Sequence, residues 1–174
     1  YNTCLVCLVK DENKYLNEWV DHYKKLGISK IILLDNNDIN VENLTDVISE
    51  DINNNYIDVI DKKGKRDDQT LLYNDIYRIY SIKCKWIMFF DADEFLHLDN
   101  NMTINTYLSN KVFNDFDSIK INWLMHYADD KLYYENKTVK ERFPDAHYET
   151  GTNRFTKLIF RSGLGDVLKF NKGP

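Results

Sequence analysis

Apolar residues in this chain recur in two periods, and the two alternate along it. The run TCLVCLV, Thr3 to Val9, is apolar almost without interruption. That pattern belongs to a strand buried on both faces, as in a parallel sheet covered by helices. The next apolar residues, Leu16, Trp19, Val20 and Tyr23, fall on one stripe of a helix, and Gly27 follows as its stop. Ile31 to Leu34 reads as a second strand and Tyr56 to Ile60 as a third, with a short helix through Val41, Leu44, Val47 and Ile48 between them. Tyr73, Ile76, Tyr77 and Tyr80 form another helical stripe, followed by a fourth strand over Trp86 to Phe90 and a fifth strand-like run over Ser118 to Asn122. Strands and helices in this order predict an α/β fold with right-handed crossovers and a mostly parallel sheet.

At 174 residues with 43% hydrophobic content, the chain supports one core of ordinary size, so a single domain is expected over residues 1–174. The formal charge of -5 comes from interspersed acids and bases. It provides no field that would recruit nucleic acid or anionic lipid. No apolar run is long enough for a membrane span. The chain begins at Tyr1 and stops at Pro174, which fits a fragment of something longer. Cys4, Cys7 and Cys84 are too few for a disulfide framework and are expected as reduced core residues, in keeping with a cytoplasmic setting. Cys4 and Cys7 form a C-x-x-C, but residues three apart in a strand face opposite ways, so neither metal nor redox chemistry is expected of them. The Asn-x-Thr triplets at Asn43, Asn101 and Asn136 carry little weight in a chain this rich in asparagine.

In open parallel sheets, ligands bind beyond the carboxyl ends of the strands. Three polar clusters stand at such ends here: Lys10-Asp11-Glu12, Asp35-Asn36-Asn37 and Asp91-Ala92-Asp93-Glu94. With 28 acids in 174 residues, chance alone yields about 4 to 5 acid-x-acid pairs, so spacing by itself means nothing. Position separates the two pairs that occur. Asp115 and Asp117 precede a strand and read as a solvated turn, whereas Asp91 and Asp93 leave one. Residues i and i+2 at a strand end point the same way, so the carboxylates of Asp91 and Asp93 could share one hard cation, Mg2+ or Mn2+. Such a cation fills its remaining positions with water and phosphate oxygens, which implies a diphosphate ligand.

The segments LVKDENKYLNEWVDHYKKLGISKIILLDNND, QTLLYNDIYRIYSIKCKWIMFFDADEFL, IKINWLMHYADD and ERF resemble bacterial family 2-type glycosyltransferases of the GT-A fold, and are similar to galactan-synthase-like enzymes. The resemblance implies a Rossmann-like, mostly parallel sheet flanked by helices. It implies a metal-dependent transfer from a nucleoside diphosphate sugar, UDP-linked by family habit, to a saccharide or lipid-linked acceptor, with inversion. Surface polysaccharide or lipooligosaccharide assembly, in the cytoplasm or at the cytoplasmic membrane face, is the implied setting. By position, Asp91 and Asp93 match the metal-holding D-x-D pair. Lys10, Asp11 and Glu12 match the segment bordering the nucleotide base, Asp35, Asn36 and Asn37 the segment near base and ribose, and Gln69, Tyr73 and Asn74 the helix before the D-x-D strand. Glu94 is read as a support for the metal ligands and Phe95 as core. Arg66 is the best phosphate clamp in the basic loop that also holds Lys62, Lys63 and Lys65, a loop that otherwise reads as a solvated face. Trp123 is either a platform for a sugar ring or a buried packing residue. Inversion requires a base for the acceptor hydroxyl, and Asp129, with Asp130 next, follows NWLMHY where such enzymes place an acid. A histidine that such enzymes add to the metal shell from downstream would lie beyond Pro174. His22, His97, His126 and His147 are not expected as ligands. A phosphohydrolase with D-x-D after its first strand would need Thr where Phe95 stands. A nucleotide-sugar-binding module without turnover is the remaining alternative.

Overall fold

The computed structural model describes residues 1–65, 69–127, 135–148, 151–165 and Phe170. Arg66, Asp129 and Asp130 lie outside the described residues. In chain order the elements are β1 (Thr3–Val9), α1 (Asn13–Leu26), β2 (Lys30–Asp35), α2 (Leu44–Val47), α3 (Ser49–Asn53), β3 (Ile57–Asp61), α4 (Gln69–Tyr80) and β4 (Trp86–Phe89). They continue with α5 (Ile104–Leu108), β5 (Ser118–Asn122), β6 (Met125–His126), α6 (Val139–Arg142), β7 (Ala146–His147) and β8 (Thr156–Arg161). One six-stranded sheet runs in the order β3-β2-β1-β4-β8-β5. The first four of these are mutually parallel, while β8 lies antiparallel to both β4 and β5. The expected α/β class with a mostly parallel sheet flanked by helices is what forms.

The uninterrupted apolar run of β1 follows from its place at the centre of this sheet. Leu5, Cys7 and Val9 face one core with Leu16, Trp19, Val20 and Tyr23 of α1, and Cys4 and Val6 face the other with Leu72, Ile76 and Tyr77 of α4. Each large side chain buried in this way contributes about 1.5–3 kcal/mol, which is what fixes the two helices to their faces. Gly27 ends α1 at φ 86, with its own amide on Lys24 O at 3.0 Å and the Ile28 amide on Tyr23 O at 3.0 Å. A side chain at that φ would be strained, and its Cβ would meet Thr103 Cβ at 3.3 Å.

Two expectations need correction. The short helix read through Val41 to Ile48 narrows to Leu44–Val47, with Val41 exposed outside it, and a second short helix, Ser49–Asn53, follows the backbone break at Ile48 (φ -125). Cys4 and Cys84 are not free: they form a disulfide with Cα atoms 5.9 Å apart, and Cys7 alone remains a buried thiol. Alternation along β1 explains the choice, since it turns Cys4 toward the α4 face where Cys84 follows the helix, and Cys7 away from it. Disulfides persist where the surroundings oxidise, so the cysteine count no longer argues for a reducing compartment. The bond closes a loop of 80 residues. Cys84→Ser is expected to cost about 3 kcal/mol of folding free energy, read as a lower urea midpoint that reductant no longer shifts.

Candidate active site

Four turns of the chain meet at the carboxyl edge of the sheet. After β1 the backbone turns sharply at Asp11, which sits at φ 60, and the Asp11 amide donates to Asn37 Oδ1 at 2.7 Å. Asn37 is wholly buried and also donates from Nδ2 to Asn13 Oδ1 and Asp35 Oδ1, each at 2.9 Å. Asp35 is buried too, accepting the Asn37 amide at 3.2 Å and lying 3.7 Å from Lys63 Nζ. These two side chains tie the β1 and β2 ends together. Lys10 and Asp11 are exposed, and Asn36 and Glu12 are half-buried, so these four are the residues of the two clusters that face solvent.

The acidic turn after β4 is held mainly from α1. Trp19, fully buried, donates its indole N–H to the carbonyls of Asp91 and Glu94, both at 3.0 Å. One turn later the Tyr23 hydroxyl donates to Glu94 O at 3.0 Å and accepts the Leu96 amide at 3.1 Å, and His22 Nε2 lies 2.9 Å from Leu96 O. The helical stripe legible in the sequence therefore does two jobs, filling the core and fixing the backbone of the turn. Within the turn the Asp91 amide donates to Glu94 Oε2 at 2.9 Å. Glu94 thus braces Asp91, and burial, with the Asp91 charge adding to it, keeps its carboxyl above the ordinary range despite that bond and Lys157. Phe95 packs against the core, as expected.

Lys157, at the start of β8, is the residue that local reading missed. Its Nζ donates to Asp91 Oδ2 at 2.6 Å and lies 3.1 Å from Glu94 Oε2. Burial works against its charge, but the two carboxylates outweigh that and hold the ammonium above its usual range. The only signal in the sequence was a positive residue opening a strand-like run, TKLIFR, whose antiparallel pairing to β4 no local pattern announces.

On the other side of the turn, Glu12, Tyr15, Ala92, Asp93, Val139, Arg142 and Phe143 line a cleft of about 260 Å³. Burial first, and the Asp93 charge second, push the Glu12 carboxyl up to about 7. Glu12 and Asp93 line the same cleft, so the β1 end and the turn after β4 meet there. The cleft is roofed by α6. Glu18 of α1 accepts the Val139 amide at 2.6 Å and the Lys140 amide at 3.3 Å, and Thr138 and Glu141 form a reciprocal cap. Arg142 Nη1 donates to the Tyr15 hydroxyl at 3.1 Å.

Of the other sequence-predicted residues, Trp123 lies beside the site: it is half-buried, its ring centroid is 5.9 Å from Lys157 Nζ, and its buried indole nitrogen has no hydrogen-bond partner among the described residues. Gln69 opens α4 and donates to the Tyr73 hydroxyl at 2.8 Å. Asn74 is spent internally, exchanging bonds with the Phe170 backbone at 2.8 and 3.1 Å. His97 is exposed, and His126 Nδ1 lies 2.9 Å from Phe143 O on the β6–β7 ribbon that also carries His147. Among the described residues no group of three or more His, Cys, Asp or Glu side chains is set to hold a metal. A Mg2+ or Mn2+ ion needs only one or two protein carboxylates when phosphate supplies the rest; Asp93 is exposed and Asp91 is half-buried against Lys157, so each offers a carboxylate of the right chemistry that a hydrated ion can reach.

A glycosyltransferase family 92 protein of Oryza sativa subsp. japonica is 23% identical over 111 residues, 63% of this chain and 18% of its own length. One from Ricinus communis is 21% identical over 120 residues, 64% of this chain and 20% of its own. The chain therefore spans about a fifth of the length of these curated relatives. Among solved structures, S. aureus TarS residues 1–349 superpose with a TM-score of 0.42 at 10% identity, over 55% of this chain and 28% of that one. The mannosyltransferase PcManGT from Pyrobaculum calidifontis, in complex with GDP-Man and Mn2+, gives 0.47 at 9% identity, over 68% and 35%. No helix among the described residues is long and apolar enough to cross a membrane. The sequence profile of glycosyltransferase family 92 matches residues 2–166, nearly the whole chain, and so the chain belongs to family 92 where the sequence resemblance had pointed to a family 2 type.

Proposed function

We propose that this chain is the GT-A-type nucleotide-sugar-binding domain of a metal-dependent glycosyltransferase, moving a sugar from a UDP-linked donor to a saccharide or lipid-linked hydroxyl with inversion, in the synthesis of a surface glycan. The observation that carries the reading is that Glu12, from the β1 end, and Asp93, from the acidic turn after β4, line one cleft at the carboxyl edge of the sheet, with Asp91 in the same turn. Asp91 and Asp93 would hold Mn2+ or Mg2+, which when bound supplies positive charge to the departing diphosphate. The chain's own residues do the rest. Trp19 and Tyr23 keep the acidic turn from shifting, Glu94 braces Asp91, and the Trp123 ring offers a face for the sugar. Lys10, Asp11, Glu12 and Asn36, which face solvent at the same edge of the sheet, would border the nucleotide. Arg66 is assigned to phosphate, and Asp129, with Asp130 next, to the acceptor proton, both on the family resemblance. Incubation with a panel of nucleoside diphosphate sugars, Mn2+ and candidate acceptors tests the proposal. Sugar on an acceptor supports it, while ligand bound and returned unchanged points to a binding module.

The Glu12 carboxyl supplies a second check. The folded metal-free chain retains a proton that an unfolded Glu releases near 4.5, so this group makes folding less favourable as pH rises from about 4.5 to about 7, with no recovery above that. A divalent cation beside Asp93 cancels the charge that helps raise it. In a 13C NMR titration the Glu12 midpoint is expected near 7 without metal and clearly lower with saturating Mg2+; an unmoved midpoint contradicts metal binding there.

A further inference from the structure

We propose that Lys157 is an exchange group between metal site and diphosphate: its ammonium holds Asp91 in the metal-free protein and moves to a phosphate oxygen when a divalent cation and a nucleoside diphosphate bind. This rests on the glycosyltransferase reading and gives it a residue that neither the family profile nor strand-end position assigns.

The geometry begins with the sheet. Because β8 runs antiparallel to β4, with Met88 opposite Ile159, Lys157 is delivered two residues further along, beside the end of β4 where the acidic turn starts. Its Nζ then bridges Asp91 Oδ2 at 2.6 Å and Glu94 Oε2 at 3.1 Å. The two bonds are not equivalent. Glu94 Oε2 is also committed to the Asp91 amide, its carbonyl is fixed by Trp19 and Tyr23, and its side chain is 20% exposed. Asp91 binds Lys157 with a side chain 39% exposed, so it is the end of the bridge that solvent and a hydrated ion can reach.

Charge points the same way. Paired with Glu94, Lys157 leaves Asp91 and Asp93 with a formal charge of about minus two, the complement of one divalent cation. With a divalent cation held by Asp91, the Lys157 ammonium would be repelled from that oxygen and favour a phosphate oxygen instead. A lysine suits the move, since it carries a compact charge with three donors on a flexible stem and binds phosphate as a point charge. The Trp123 ring flanks the ammonium at 5.9 Å, on the side where the proposed function sets the donor sugar.

The test measures Mn2+ and UDP binding, without turnover, in wild type, Lys157→Met and the polar variant Lys157→Gln, the last covering the case in which Met misfolds. Free Mn2+ is followed by electron paramagnetic resonance and UDP by calorimetry at saturating Mn2+. Removing the competing ammonium is expected to tighten Mn2+ alone by about tenfold, and removing the phosphate partner to weaken UDP by about tenfold. These opposite signs are the signature of exchange, since a merely structural lysine would move both affinities the same way or neither. Unchanged Mn2+ affinity, or tighter Mn2+ with unchanged UDP, overturns the proposal while leaving the glycosyltransferase reading intact. A wild type that binds neither Mn2+ nor UDP overturns both.

Discussion

Asp91→Asn is expected to lower the rate of sugar transfer by about a thousandfold or more, with little loss of stability. The size follows from what the carboxylate is placed to do. It lies two residues beyond the end of a buried parallel strand, its backbone is pinned by Trp19 and by Glu94, and its side chain is the more open of the two that Lys157 holds. An amide there keeps the shape and removes the charge that would attract a divalent cation. Stability changes little because the lost ion pair is partly exposed, and such pairs contribute roughly 0–1 kcal/mol. Lys157 retains Glu94. A transfer assay at saturating donor and Mn2+, beside a thermal melt, reads both halves; a variant with near wild-type transfer contradicts the assignment of Asp91.

Trp19 is expected to give the largest stability effect. Its side chain is fully buried against Leu16, Tyr23 and the β1 core, and its N–H serves two carbonyls of the acidic turn. Trp19→Ala is expected to cost about 4 kcal/mol, through lost burial and the cavity left behind. Trp19→Phe separates packing from hydrogen bonding. It fills most of the volume but leaves the Asp91 and Glu94 carbonyls without that donor, at a cost of about 1–2 kcal/mol. Because those carbonyls belong to the turn that carries the D-x-D pair, Mn2+ affinity is expected to fall in Trp19→Phe even where the protein stays folded. Denaturant melts and Mn2+ titration of the two variants check this, and a Phe variant with unaltered metal affinity would show that the indole only packs.

How far the sequence carried can be traced through particular residues. Thr3–Val9 and Ser118–Asn122 form strands over the residues read for them, and the stripe Leu16, Trp19, Val20, Tyr23 is buried as read. Periodicity reports which residues must leave water, and both faces of the central sheet are covered. The rule that ligands gather at the carboxyl ends of parallel strands then located the candidate site from three short polar clusters. It did not separate the residues that face a ligand from those that hold the loops. Asp35 and Asn37 turn inward, and Asn74 is spent on Phe170, because backbone groups at strand ends also need partners. Long-range pairing was the part that escaped. The Cys4–Cys84 bond and the Lys157–Asp91 bridge, whose partners are 80 and 66 positions apart in sequence, depend on which strands become neighbours rather than on any local pattern. The same limit hid α6, whose place over the cleft depends on Glu18, more than a hundred residues earlier.

The central claim is that the β4 acids bind a nucleoside diphosphate sugar through a metal. Calorimetric titration of the wild type with a panel of nucleoside diphosphate sugars, with and without Mn2+, tests it most directly when repeated on Asp91→Asn and Asp93→Asn. The account predicts binding of at least one nucleotide sugar that requires Mn2+ and is lost in both variants. Binding that is independent of metal and unaffected by either substitution would contradict it.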